Sequence, residues 1–217
     1  MLILESNPQA VAAESYRTLR TNIQYSSFDN PVKSIVMTSS EPGEGKSTTS
    51  GNLALSFAQD GKKVILIDCD LRKPVVHKNF GISNSIGLSE FLLGKVDFGK
   101  VVHKHKSGLH VLPSGTIPPN PAEMLASRAM EHLLDQLEEK YDYIILDTPP
   151  VNAVTDSKIL STKVDGTILV VKYGYTKKDA VIESVKGLRA VNANIIGIVF
   201  NGEESKRAKY YHYYKRD

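Results

Sequence analysis

The chain has no tryptophan and one cysteine, Cys69, among its 217 residues. A lone thiol cannot close an intramolecular disulfide, so an oxidising compartment is not called for and a reducing cytosol is expected. Long apolar runs are missing too. No stretch approaches the ~18 residues that span a bilayer, and Met1-Leu-Ile-Leu-Glu is too short for the apolar core of a signal peptide. Membrane association, if any, must then come through a partner. Neither sign of charge dominates: a formal net charge of +3 is too small to imply nucleic-acid or membrane binding by itself. The H-R-D and D-F-G signatures are absent, which excludes the eukaryotic type of protein kinase.

Hydrophobic content of 41% and charged content of 24% suit a soluble globular domain, and the length suits one α/β unit. Short β-branched runs predict strands at 33–39, 63–68, 109–113, 142–147, 166–172 and 195–200. Helical patterns fill the gaps at about 10–26, 47–60, 87–94, 121–139, 155–162 and 176–191. This alternation predicts an α/β fold, a mostly parallel central sheet with helices on both faces. Gly61 ends one helix, and Asn120-Pro121 begins another with an N-cap and a first-turn proline. No repeat or linker divides the chain. Residues 1–202 are expected to form one domain and 203–217 a flexible tail.

Residues 40–48, Ser-Glu-Pro-Gly-Glu-Gly-Lys-Ser-Thr, describe a phosphate-binding loop between the first strand and the next helix. Such a loop aims several backbone N–H groups at one point, where an anion sits. Gly43 and Gly45 admit the phosphates without a Cβ clash, Lys46 reaches the β- and γ-phosphates, and Ser47 is placed to ligate Mg²⁺. Ser40 stands where the G-x-x-x-x-G-K-[ST] pattern has its first glycine, a position that tolerates small residues. The expected ATP contacts are Ser40, Gly43, Glu44, Gly45, Lys46, Ser47 and Thr48. The domain is therefore read as a P-loop NTPase.

Two apolar strands end in carboxylates, as a metal–nucleotide site requires. Val64-Ile-Leu-Ile-Asp68-Cys-Asp70-Leu-Arg72 carries Asp68 and Asp70 two residues apart, on one side if the strand continues. Tyr143-Ile-Ile-Leu-Asp147 delivers the partner expected to coordinate Mg²⁺. Both sit at strand carboxyl ends, where open α/β sheets bind ligands. The plainer alternative is that these aspartates cap helices or begin turns. Arg72 and Lys73 either surround a transferring phosphoryl group with positive charge or are solvated loop residues. The proline-rich segment 114–121 is a candidate rigid wall of the site. Asn201, before Gly202, is placed to read an adenine edge or simply to form a turn.

Four of the ten tyrosines, Tyr210, Tyr211, Tyr213 and Tyr214, crowd near the C-terminus with Lys206, Arg207, Lys209, Lys215 and Arg216 around them. Flanking charge and a terminal position argue against burial. Exposed phenols there serve as a stacking surface for a partner or as phosphate acceptors. A phenol titrates near pH ~10, so attack on a γ-phosphate needs placement and a carboxylate base, which Asp68 or Asp70 can supply. Phosphorylation would reverse the sign of this basic tail.

The three nucleotide motifs with this tail resemble the bacterial tyrosine kinases of capsule and exopolysaccharide operons, over essentially the whole chain. The resemblance makes Gly43–Thr48 the Walker A motif, Ile65–Arg72 the Walker A′ motif and Ile144–Asp147 the Walker B motif. It implies that Lys46 holds phosphates and that Ser47, Asp68 and Asp147 serve Mg²⁺. Asp68 and Asp70 would assist the tyrosine hydroxyl, with the base unassigned between them. Glu14-Ser-Tyr-Arg17-Thr-Leu-Arg20 is similar to the family's E-x-x-R-x-x-R oligomerisation motif. That implies a ring-like homo-oligomer in which each tail reaches a neighbour's site, and which loosens on phosphorylation. The chain is similar to the separate soluble kinases of Gram-positive bacteria. These are cytoplasmic, act on protein substrates, and meet the membrane through an adaptor whose cytoplasmic segment activates them.

Two rivals follow from the same residues. P-loop ATPases that position chromosomes or division sites share the nucleotide motifs but use water as nucleophile. They carry an extra lysine where this chain has Glu41, and have no need of a tyrosine cluster. The other rival is a nucleotide-gated scaffold whose tail docks a partner; three placed carboxylates exceed what plain binding requires.

Overall fold

The structure, a computed structural model, describes residues 2–26 and 31–202. The tail expected at 203–217, with its tyrosine cluster, lies outside the described residues. In chain order the elements are α1 (Ile3–Ser6), α2 (Val11–Gln24), β1 (Ser34–Ser39), α3 (Lys46–Gln59), β2 (Val64–Asp68), α4 (Val76–Phe80) and α5 (Leu88–Leu92). Then follow α6 (Phe98–Val101), β3 (His103–Lys104), β4 (His110–Leu112), α7 (Pro121–Ala126), α8 (Arg128–Glu138), β5 (Tyr143–Asp147), α9 (Asp156–Ser161), β6 (Gly166–Lys172), α10 (Lys178–Arg189) and β7 (Ile195–Asn201).

Among the described residues the strands form one seven-stranded sheet in the order β3-β4-β2-β5-β1-β6-β7. Every neighbouring pair is parallel except β3–β4. The central strands are apolar throughout because helices cover both of their faces. Ile35, Met37, Val64, Leu66 and Ile145 point to the side covered by α1, α2 and α3. Val36, Ile65, Ile67, Ile144 and Leu146 point to the opposite side, covered by α7 and the amphipathic α8 (Met130, Leu133, Leu134, Leu137). The α/β architecture expected from the alternation is the one observed.

The differences have local causes. The helix expected over 121–139 breaks at Ser127, whose extended backbone (ψ 157) starts α8 afresh. Its Oγ accepts the Met130 N–H and donates to the Met124 carbonyl, so a serine inside a helical pattern acts as an N-cap. The short elements α1, α4, α6 and β3 have too few residues to show a periodicity; tertiary contacts make them. At α1, Leu2 and Leu4 sink into the core against α3, and the Leu4 N–H donates to Asn52 Oδ1 at 3.1 Å. Gly51 permits that approach, since a Cβ there would lie 2.9 Å from Leu2 Cδ1.

Phe57 of α3 is fully buried and stacks on Tyr143 of β5 with ring centroids 3.8 Å apart. Phe57→Ala is expected to destabilise the domain by about 3–5 kcal/mol, read as a lower urea midpoint at unchanged slope.

Candidate active site

The sheet register brings the carboxylates together before any side-chain contact is considered. Asp68, the last residue of β2, is the direct partner of Asp147, the last residue of β5. Asp68 follows the parity of Val64 and Leu66, and Asp147 that of Ile145, so both side chains emerge on the α3 side. β1 runs on the other side of β5, pairing Met37 with Asp147, and leads straight into the phosphate loop. Gly43 and Gly45 have φ of +82 and +86, the left-handed region that loop requires. The N-terminal turn of α3, with N–H groups that lack intrahelical acceptors, therefore opens beside both strand ends.

Lys46 sits at the centre. Its Nζ is 3.2 Å from Asp70 Oδ2, 3.4 Å from Asp147 Oδ2 and 3.2 Å from Ser47 Oγ. Asp147 is fully buried and accepts a second hydrogen bond, 2.9 Å, from Ser50 Oγ one turn along α3. Asp68, equally buried, accepts the backbone N–H groups of Asp70, Val75 and Val76, and so caps the start of α4. Asp70 accepts the Lys73 N–H at 2.9 Å, which curls the loop after β2. The capping reading is thus true of Asp68 without removing it from the site. Burial, with the negative Asp147 beside it, pushes the Asp68 carboxyl up to about 8. Burial works against the charge of Lys46, yet Asp147 and Asp70 raise its pKa above the ordinary lysine value.

One ammonium thus shares the site with three carboxyl groups, an acidic surplus that a divalent cation would relieve. Among the described residues no group of three or more His, Cys, Asp or Glu side chains is arranged to hold a metal alone. That fits Mg²⁺ arriving with a nucleotide, held by one or two protein oxygens and by phosphates. Ser47 Oγ and Asp147 Oδ2, both within 3.4 Å of Lys46 Nζ, are oxygens that could hold it. Ser40 Oγ is buried without a hydrogen-bond partner, and Thr48 is exposed at the first turn of α3.

The Glu44 side chain closes the loop on itself. One carboxylate oxygen accepts the Ser40 and Glu41 N–H groups at 2.7 and 3.1 Å, and the other accepts Thr176 Oγ1. The Asn201 amide donates to the Glu44 carbonyl at 2.9 Å and occupies the space where a Cβ on Gly45 would stand. Asn201, at the end of the last strand, therefore braces the phosphate loop.

A protein-family model described as an AAA domain matches residues 32–195. The tyrosine-protein kinase YwqD of Bacillus subtilis (strain 168) is 44% identical over 100% of this chain and 92% of its own. The putative tyrosine-protein kinase CapB of Staphylococcus aureus is 34% identical over 100% of this chain and 96% of its own. The chain belongs to the bacterial tyrosine-kinase family.

The fold of this bacterial tyrosine kinase agrees with its sequence relatives. The crystal structure of the chimerical protein CapA2B2 superposes with a TM-score of 0.91 at 39% identity, covering 94% of this chain and 90% of that one. A weaker likeness shows the P-loop fold alone. It is to the septum site-determining protein MinD complexed with Mg-ADP from Pyrococcus horikoshii OT3, with TM-score 0.67, 21% identity and coverage of 81% and 72%.

Other predicted residues lie elsewhere or are otherwise engaged. Glu14 and Arg17 pair with each other at 2.7 Å on α2, and Arg17 also donates to the Pro8 carbonyl. Arg20 donates to the Ser56 carbonyl at 2.9 Å and pairs with Asp60 at 3.3 Å, fastening α2 to α3. The segment 114–121 is held by Glu90 and Asn84; none of its hydrogen bonds among the described residues reaches the phosphate loop.

Sequence reasoning missed Ser50, whose place one turn beyond Lys46 was a usable signal, and Asp156, which gave none. Asp156 is fully buried and receives Arg72 Nε at 2.9 Å and Nη2 at 3.0 Å. This bidentate pair ties the loop carrying Asp70 to α9. Arg72 is thus a strut, and swinging it toward a phosphoryl group would strand a buried charge. Arg72→Met is expected to cost about 3–5 kcal/mol, because Asp156 is left unpaired. The double variant Arg72→Met/Asp156→Asn should recover most of that loss, a coupling measured by a double-mutant cycle in urea.

Proposed function

We propose that the chain transfers the γ-phosphoryl group of Mg·ATP to tyrosine hydroxyls, its first acceptors being Tyr210, Tyr211, Tyr213 and Tyr214 of its own tail. The reading extends to transfer in trans within a ring-like homo-oligomer held partly by Glu14, Arg17 and Arg20. It includes activation by the cytoplasmic segment of a membrane adaptor, a cytoplasmic site of action beneath the membrane, and control of capsular or extracellular polysaccharide synthesis and export. Among the described residues no helix is long and apolar enough to cross a membrane.

The observation that carries the catalytic part is Lys46, buried at the mouth of the phosphate loop against Asp70 and Asp147 and beside Ser47. Bound between Ser47 and Asp147, Mg²⁺ would supply charge stabilisation on the phosphates. Lys46 orients those phosphates, and Asn201 and Glu44 keep the loop in register beneath them. In the transfer, the tyrosine oxygen forms its bond to the γ-phosphorus as the bond to the β–γ bridging oxygen breaks. The phenolic proton passes to the carboxylate of Asp68 or Asp70. The tyrosine cluster supports a protein hydroxyl rather than water as acceptor, as does the full-length likeness to tyrosine kinases.

Intact-mass spectrometry of dephosphorylated protein with Mg·ATP, with and without a peptide of the adaptor's cytoplasmic segment, tests this. Mass steps of about 80 Da per phosphoryl group are expected, lost in Lys46→Met and in the variant with Phe at positions 210, 211, 213 and 214. Release of inorganic phosphate with no mass gain under either condition would favour the water-using ATPase.

A further inference from the structure

A cavity of about 480 Å³ opens between the end of α4, the β3–β4 edge of the sheet and α1. None of its lining residues belongs to the nucleotide site. Its volume lies within the ~300–1,000 Å³ usual for ligand pockets. The wall is of two kinds. Phe80, Ile82 and Val111 give it an apolar side, with Val111 fully covered and Phe80 half-buried. Lys78, Lys104 and Lys106 supply exposed ammonium groups.

The lining has a single carboxylate, Glu5, and it is already engaged. It takes Lys106 Nζ at 3.1 Å and His105 Nε2 at 3.2 Å. His105 Nδ1 lies 2.9 Å from Ser107 Oγ and 3.3 Å from the Ser107 backbone nitrogen, which holds the ring with Nε2 toward Glu5. Among the described residues Lys78 and Lys104 have no ion-pair partner. The cleft therefore offers two uncompensated ammonium groups next to an aromatic and aliphatic surface.

We propose that this cleft binds phosphotyrosine, and that its occupant is the phosphorylated tail of this chain. A phosphotyrosine carries about −1.5 to −2 charges, which matches the two free lysines, and a flat ring that covers the apolar wall. The unmodified tail is basic and is repelled by the same rim, so occupancy follows phosphorylation. The proposal takes tail phosphorylation, proposed above, as the source of its ligand. A chemically phosphorylated peptide tests the site whether or not that reading holds.

The experiment is fluorescence anisotropy with a labelled peptide of residues 203–217 phosphorylated at Tyr213. The partner is the full-length chain bearing Phe at its four tail positions and saturated with Mg·ADP. Saturable binding is expected that weakens about tenfold or more in Lys78→Ala/Lys104→Ala, with melting temperature and ADP binding unchanged. A peptide with phosphoserine at the same position, equal in charge but without the ring, is expected to bind at least about tenfold more weakly. Absence of binding, loss of binding on ADP saturation, equal affinity for phosphoserine, or full affinity in the double variant would each overturn the proposal.

Discussion

The ammonium of Lys46 among Asp68, Asp70 and Asp147 is the interaction on which the rest of the structure turns. The three carboxylates are almost wholly withdrawn from water, and two of them are adjacent across a sheet register. Such a group persists only if each charge is matched by a cation or by aligned donors. Lys46 supplies the cation, Ser50 and the α4 backbone supply donors, and burial beside Asp147 holds the Asp68 carboxyl above its usual range. Each of these partners is placed by a different element, so β1, β2, β5, α3 and α4 must all be in position together. The domain tolerates this because what it buries is a surplus of acidic groups beside the N-terminus of α3, where the helix dipole favours negative charge.

The arginines show how a motif acquires a second duty. Arg20 belongs to the stretch that resembles an oligomerisation motif, yet it clamps α2 onto α3 through Ser56 and Asp60. A guanidinium has five N–H donors, and two contacts do not exhaust it. A subunit contact through Arg20, as proposed above, would therefore add to an internal bond rather than replace one. Arg72 differs. Both of its contacts go to one fully buried carboxylate, so its geometry is spoken for in the folded chain.

The parts readable from sequence were those whose signal is local. Glycines at left-handed positions, a lysine after them, β-branched runs ending in Asp and the 3.6-residue periodicity of α2, α3 and α10 each sit within a few neighbours. What escaped depends on residues far apart. Asp156 meets Arg72 across 84 positions, and Asn201 meets Glu44 across 157. Ser127 resembles any helical serine until its backbone is seen extended. Asn201 lies beside the phosphate loop, and its bracing of that loop follows from a close approach to Gly45 that no spacing announces.

The short helix α4 concentrates this long-range logic. Five residues make too little helix to persist unaided, since nucleation costs more than so few hydrogen bonds return. Asp68 caps its start, Asn79 bonds the Ser47 carbonyl at 3.4 Å, and Phe80 packs toward Gly51 of α3. The same five residues present Lys78 and Phe80 to the basic cleft. The nucleotide site and the cleft therefore share one marginal element, fastened on one side by the residue that follows the phosphate-loop lysine and by a Walker A′ carboxylate.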